Sequence, residues 1–515
     1  MQGACMRVNS FSIYSIIKRN AKVMPGHVAF TWENEDTTFR QFKAKVNRLA
    51  RGLTDNGIRE GDRIAVFAKN SLEYFLIYGA AAQTGAIVVP INWRLGVDEI
   101  EYIMRDTTPR ITVSDPETEA VIRDMVFELP FVEQSYLISG SEGESQFLPF
   151  EDLMRVDRNS DECRVLSDDP FVIIHTAAVT GRPRGAVLTH ENMISTNMEY
   201  LVAMGINPSD VHLAFLPLYH IACLGMSLAV FHAGGKNIVM PKFDRQLAVE
   251  SIERDNVTLI VDFPPILANI LEEAETSSRD LSGLRWVMGI DQPNVIAAFE
   301  KKTGGRFGLG YGQTEVSGLV SFDQASEKPG SVGRPGYRIE INLVDESDKE
   351  VKTGEVGEIA VRGPAVFKGF WNLEKETEYA FRNEWHHTGD LGRFDDEGYL
   401  WYVGRKPEKE LIKTGGENVY PAEVETAILD HPAIDETCVI GVPDADWGEA
   451  IKAFCVLKQG QSLLADDLIE FVASKISRYK KPKFVEFVSA LPKTSDGSVD
   501  REKVKAEFGQ SNENE

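Results

Sequence analysis

The stretch RIAVFAKNSLEYFLIYGAAAQTGAIVVPIN, beginning at Arg63, constrains the fold more than any other part of the chain. An apolar run at Ile64–Ala68 predicts a strand, and a helix that Ser71 is placed to cap follows it. A second apolar run at Ile87–Pro90 predicts the next strand. The pattern returns in NVTLIVDFPPILANILEEA, with a strand at Val257–Asp262 and a helix after the prolines. Continuous apolar strands between amphipathic helices imply parallel sheets covered on both faces. From about Gly330 the texture changes to short alternating strands with Gly-Glu turns, the signature of an antiparallel sheet or barrel. Charges then cluster in GRKPEKELIK, which reads as a hinge. Beyond it, ENVYPAEVETAILDHP and ETCVIGVPDADWGEAIKAFCVLKQG predict a small α+β domain. A chain of 515 residues has room for about three such units.

Charge narrows the partners. With 55 Lys and Arg against 79 Asp and Glu the net charge is −24, so nucleic-acid phosphates and anionic lipids are repelled. No apolar run approaches the ~20 residues that span a bilayer, and the N-terminal segment lacks a signal-peptide core. The five cysteines have no CxxC spacing and read as reduced thiols, neither disulfides nor a metal site. A cytoplasmic globular protein is expected.

Four motifs carry the chemistry. In TAAVTGRPRGA, from Thr176, an apolar strand runs into a turn rich in Gly, Pro and Arg and then toward a helix, an arrangement suited to phosphate. It lacks the GxxxxGK[ST] signature, and its candidate phosphate-gripping cation is Arg184. GYGQTE, Gly310 to Glu315, sets a hydroxyl beside a carboxylate, a pair able to touch a phosphate oxygen and Mg²⁺; it is also compatible with a plain turn. WHHTGDLGRFDDEGYLWYVGR offers Asp390, able to accept both hydroxyls of a ribose, and Arg405, able to donate to the same sugar; turn chemistry would also place an Asp after Gly. LIKTGGENVYPAEVE has the pair Gly415-Gly416, which permits close backbone approach to a ligand or simply a turn of positive φ.

In this order, and over Ser12 to Lys505, the motifs resemble those of the adenylate-forming superfamily: acyl-CoA synthetases, peptide-synthetase adenylation domains and luciferase. The resemblance implies α/β with α+β architecture. A large N-terminal AMP-binding domain, residues 1–409, would hold two α/β subdomains and a barrel-like part at about 330–409. A mobile small α+β domain would follow at 410–515. It further implies ATP, Mg²⁺ and coenzyme A as cofactors, with Thr176, Thr180, Gly181, Arg184 and Gly185 around the β,γ-phosphates. Tyr311 would stack near adenine, with Gly312 and Gln313 beside the nucleotide. Thr314 would contact the α-phosphate, Glu315 would bind Mg²⁺, and Asp390 and Arg405 would hold the ribose. Gly415 and Gly416 would line the pantetheine path, His220 the acyl pocket, and Glu410 would lie near the hinge.

The implied activity is AMP-forming carboxylate–CoA ligation, an acyl-adenylate first and a CoA thioester second. Three departures qualify it. The phosphate loop has Ala177, Ala178 and Val179 where Ser, Gly and Thr are usual, and Arg184 where Lys is usual. The adenine strip reads GIDQP, Gly289 to Pro293. The C-terminal LPKTSDGSVDREKVK carries Ser498 where the family has its adenylation lysine. Two alternatives therefore stand beside the ligase: a same-fold enzyme specialised for the thioester step or for the ATP-forming reverse direction, and a non-catalytic nucleotide- or acyl-CoA-binding protein. Apolar segments around Leu216–Gly225, Trp286–Gly289 and Leu309–Gly312 point to a hydrophobic acid, whether fatty, alicyclic or aryl. A homodimer stays open.

Overall fold

A computed structural model describes residues 10–138, 145–155, 165–176, 182–406, 411–415, 417–444, 447–494 and 499–508. The βα units form where the sequence places them. The strand Arg63–Phe67 leads into the helix Leu72–Thr84, and Ser71 Oγ accepts the Tyr74 N–H at 3.2 Å, supplying the cap. That helix is apolar on every side and buried over its whole length, because helices Ile13–Val23 and Phe39–Asp55 cover it from outside the sheet. Ile87–Pro90 then pairs parallel to Arg63–Phe67, and the strand Leu259–Asp262 precedes the helix Ile266–Thr276.

Among the described residues these units build two large sheets. The first has eight strands, with a parallel centre formed by Pro170–Thr176, Ile87–Pro90, Arg63–Phe67, Ile111–Ser114 and Gln134–Leu137. The second has nine, with Arg306–Tyr311, Trp286–Gly289, Leu259–Asp262, Val211–Ala214 and Lys236–Val239 in parallel order. Phe30, Phe42, Phe75 and Phe231 pack between the two, with ring centroids 4.6–5.6 Å apart, so the sheets share one core. From Glu340 the pairing turns antiparallel, as the alternating pattern predicts, in a five-stranded sheet that ends with Leu400–Arg405 on Trp385–Phe394. A last five-stranded sheet with helices Pro421–Leu429 and Ala465–Lys475 forms the small C-terminal domain.

One local expectation is corrected. The phosphate loop does not run from a strand straight into a helix. Arg184–Thr189 is itself a strand, paired antiparallel with Pro170–Thr176 through Ile174↔Ala186, His175↔Gly185 and Thr176↔Arg184. The helix begins only at His190, capped by Thr189. Strand pairing, rather than a helix start, therefore flanks the loop on both sides. The segment RGAVLT is β-branched and apolar enough to pair, and the edge of the sheet offers it a partner.

The large and small domains touch through a charged clasp. Lys480 Nζ lies 2.5 Å from Glu99 Oε1 and 2.6 Å from Glu423 Oε1, with its side chain 4% exposed. Ser477 donates to Glu99 and accepts the Gly96 N–H at 2.9 Å. Nearby, Glu417 joins Arg94 at 2.8 Å and accepts the Tyr219 hydroxyl at 3.1 Å. No described helix is long and apolar enough to cross a membrane. Cys223, Cys438 and Cys455 are buried and unbridged.

Candidate active site

The C-terminal ends of the second sheet's strands meet Thr176 and Arg184 of the paired strands Pro170–Thr176 and Arg184–Thr189, and the start of the small domain, around one cavity of about 210 Å³. Thr176, Arg184, His220, Gly312, Gln313, Thr314, Glu315 and Arg405, all expected site residues, line it. The hairpin carries the first two. Tyr311, Gly312 and Gln313 come at and just after the end of Arg306–Tyr311, where a tight turn follows; a Cβ on Gly312 would collide with the Gly318 carbonyl oxygen. That close approach requires glycine.

Two clusters give the cavity its polarity. Thr176 Oγ1 donates to Glu315 Oε1 at 3.2 Å, which joins the start of the phosphate loop to the GYGQTE turn. Arg184 lies with its guanidinium 4.3 Å over the Phe370 ring, and its buried Nε has no acceptor among the described residues. In the second cluster Asp390, 2% exposed, accepts the Tyr311 hydroxyl at 2.7 Å and the Gln313 amide at 3.1 Å, both through Oδ2. Its Oδ1 stands 3.1 Å from Arg405 Nε, within ion-pair reach, but the angle is not that of a hydrogen bond. One buried carboxylate oxygen thus keeps its lone pairs for a hydroxyl donor.

The TGD segment, inside the strand Trp385–Phe394 and not in a turn, is held from below. Glu358 accepts the Gly389 N–H at 2.9 Å and pairs with Lys406 at 2.7 Å and His387 at 3.1 Å. Burial alone would raise its pKa, but hydrogen bonds from His387 and Lys406 outweigh it and draw the value down to about 2. Burial also works against the charge on Arg405, yet the Asp390 carboxylate keeps its pKa above the usual arginine value.

Other expected residues fall differently. Tyr311 sits in the core with its ring 6.2 Å from Tyr402, so its hydroxyl orients Asp390 from behind. Gly185 lies in the hairpin, opposite His175. His220 caps the helix Ile221–Ala233, Nδ1 accepting the Ala222 N–H at 3.2 Å; burial lowers its pKa, and the neutral ring faces Phe263 at 6.0 Å. Gly415, at φ +56°, is pressed against the Trp447 indole, where a Cβ would collide. Thr180, Gly181, Gly416, Glu410 and Ser498 lie outside the described residues, as do Ala177, Ala178 and Val179.

The cavity also holds residues that sequence reasoning passed over. Lys413, Asn418 and Tyr420 enter it from the small domain. Burial, then the Arg405 charge, lowers the Lys413 pKa. Lys413 and Asn418 stand inside LIKTGGENVY, so the motif itself carried the signal, but attention went to its glycines. Tyr200, from the middle of the helix His190–Met204, had no such signal.

Comparison with known proteins agrees with this geometry. A family description, AMP-binding enzyme, matches residues 17–371, and the AMP-binding enzyme C-terminal domain matches residues 423–498. Feruloyl-CoA synthase of an Amycolatopsis species is 34% identical over 497 residues, covering 95% of this chain and 98% of its own. Indoleacetate–CoA ligase of Aromatoleum aromaticum is 31% identical over 502 residues, covering 95% and 96%. A solved double mutant of o-succinylbenzoate CoA synthetase from Bacillus subtilis, bound to a product analogue, overlays with a TM-score of 0.84 at 27% identity, covering 96% and 98%. The same synthetase in complex with its acyl-adenylate intermediate gives 0.69 at 26% identity, covering 96% and 99%. The chain belongs to the AMP-binding enzyme family of the adenylate-forming superfamily, among its AMP-forming CoA ligases.

Proposed function

We propose that the protein activates a hydrophobic carboxylic acid with ATP and transfers the acyl group to coenzyme A. The observation that carries this reading is one cavity in which Arg405, backed by the buried Asp390, the Thr176–Glu315 pair and Arg184 adjoin apolar walls. Asp390 Oδ1, free of an aligned donor, accepts a ribose hydroxyl, while Tyr311 and Gln313 fix the carboxylate. Arg184 faces the β,γ-phosphates. Thr314 and Glu315 lie at the α-phosphate. The acid's carboxylate oxygen attacks the α-phosphorus, the bond to the bridging oxygen breaks, and pyrophosphate leaves with the electron pair.

A Mg²⁺ ion would be held by Glu315 together with phosphate oxygens. The single carboxylate fits, since this ion keeps waters and takes few protein ligands. It would neutralise phosphate charge there. In the second step the CoA thiolate attacks the acyl carbon, and AMP departs with the bridging oxygen. Lys413 and Arg405 flank the phosphate that regains charge, so the small domain supplies a cation to this step. The higher overlay with a product-analogue complex than with an acyl-adenylate complex supports reading the present arrangement as that of thioester formation.

The test is ATP–pyrophosphate exchange across a panel of acids, with CoA esters followed by mass spectrometry. Acid-dependent exchange and a matching thioester are expected. Exchange with no acid in the panel, together with absent AMP binding, would sink the proposal.

A further inference from the structure

Tyr200 lines the same cavity beside the apolar side chains of Val261, Met288 and Leu319. The tyrosine is 2% exposed and belongs to a cluster with Met226, Val261, Trp286 and Leu319. Its hydroxyl lies where two elements come close without side chains. A Cβ on Gly225 would stand 3.8 Å from it, and one on Gly318 3.7 Å. The Tyr74 hydroxyl is sealed in the core, whereas Tyr200 lines the cavity, and its hydroxyl makes no hydrogen bond among the described residues. Burial raises its pKa, so it stays a neutral phenol, able to donate and to accept.

An apolar acid would leave this phenol dry and unpaired, which costs free energy; an acid with an oxygen at the matching depth would pair it. The lining beside Tyr200, from Val261, Met288 and Leu319, is apolar and favours a hydrocarbon body between the carboxylate and that oxygen. A flexible chain ends in a methyl group. An aromatic ring holds a polar substituent at a fixed distance from its carboxylate and loses little freedom on binding.

We propose that Tyr200 is a specificity-determining residue, and that it selects an aryl carboxylate bearing a hydrogen-bonding oxygen at the end remote from the carboxylate. The inference rests on the ligase reading of this cavity.

The experiment uses matched acids, 4-hydroxybenzoate with benzoate and 4-hydroxycinnamate with cinnamate, plus octanoate, on the full chain and on Tyr200→Phe. The readouts are kcat/KM for CoA-ester formation and the affinity of the corresponding synthetic acyl-adenylates. The wild type should prefer the hydroxylated member by about 10- to 100-fold. Tyr200→Phe should abolish that preference, lowering kcat/KM for the hydroxylated acid and raising it for the unsubstituted one, which then strands no phenol. Gly225→Ala, which crowds the hydroxyl without removing it, should reduce the preference in the same sense and serves if Tyr200→Phe does not fold. A wild-type preference for octanoate, no preference within the pairs, or a preference that both variants retain would overturn the assignment. If no acid yields a CoA ester and no acyl-adenylate binds, the ligase reading itself falls. A preference located elsewhere, with esters still formed, refutes only Tyr200.

Discussion

Replacing Asp390 by Asn alters the nucleotide site with little change in shape. The carboxylate takes two hydrogen bonds on Oδ2, from Tyr311 at 2.7 Å and Gln313 at 3.1 Å, and faces Arg405 on Oδ1 at 3.1 Å. An Asn amide has one oxygen for these three donors. Wherever its NH₂ points, it meets a donor: Tyr311 and Gln313 on one side, the Arg405 cation and a ribose hydroxyl on the other. A hydrogen bond to a charged group contributes about 1.5–3 kcal/mol, so losing one outright and weakening a second costs about 2–4 kcal/mol of AMP affinity. That corresponds to roughly 30- to 1,000-fold in Kd. Calorimetry with AMP measures it directly, and thermal melting controls for folding. A second ligand sharpens the test. Against 2′,3′-dideoxy-AMP, which has no ribose hydroxyls, wild type and Asp390→Asn should differ far less than against AMP, because the missing interaction is then missing from both. An AMP affinity within about threefold of wild type in a folded variant, or an equal loss against the dideoxy nucleotide, would refute the ribose assignment; threefold is well below the effect worked out here.

Lys480→Met removes the cation between Glu99 and Glu423 and leaves two half-buried carboxylates facing each other, a loss of about 3–5 kcal/mol to this domain arrangement. Thioester formation from a supplied acyl-adenylate should fall at least tenfold while single-turnover pyrophosphate release is unchanged; equal effects on both steps would count against the clasp. Ser498→Lys should accelerate pyrophosphate release by at most ~10²–10³-fold and leave the thioester step alone, since a new ammonium meets developing charge in only one transition state. No acceleration would show that Ser498 does not occupy the lysine's place. Burial draws His190 down to about 3 and His212 and His232 to about 4, below their unfolded value near 6.5. Their contribution to stability is therefore complete above pH 6.5 and lost as pH falls toward 4. The melting temperature should already drop between pH 7.5 and 5.5, before most carboxylates titrate, and a flat profile over that range would contradict the buried neutral rings.

The sequence by itself determined the elements and their alternation. Runs such as IVVP and LIVD, and the cap at Ser71, are read from neighbours within a few positions, and local periodicity is enough to place them to within a residue or two. It also named eight residues that the fold brings to one cavity, because a ligand that needs a carboxylate, a cation and bare backbone leaves those residue types in short motifs. What depends on partners far along the chain was not legible. The segment after the phosphate loop became a strand because the edge of a sheet was there to receive it. Asp390 owes its orientation to Tyr311, 79 positions away, and Lys480 owes its burial to Glu99, 381 positions away. Tyr200 reads as one more apolar position on a helix. Only the approach of Gly225 and Gly318 leaves its hydroxyl open to the cavity, and that approach comes from the packing of three elements, which no local pattern records.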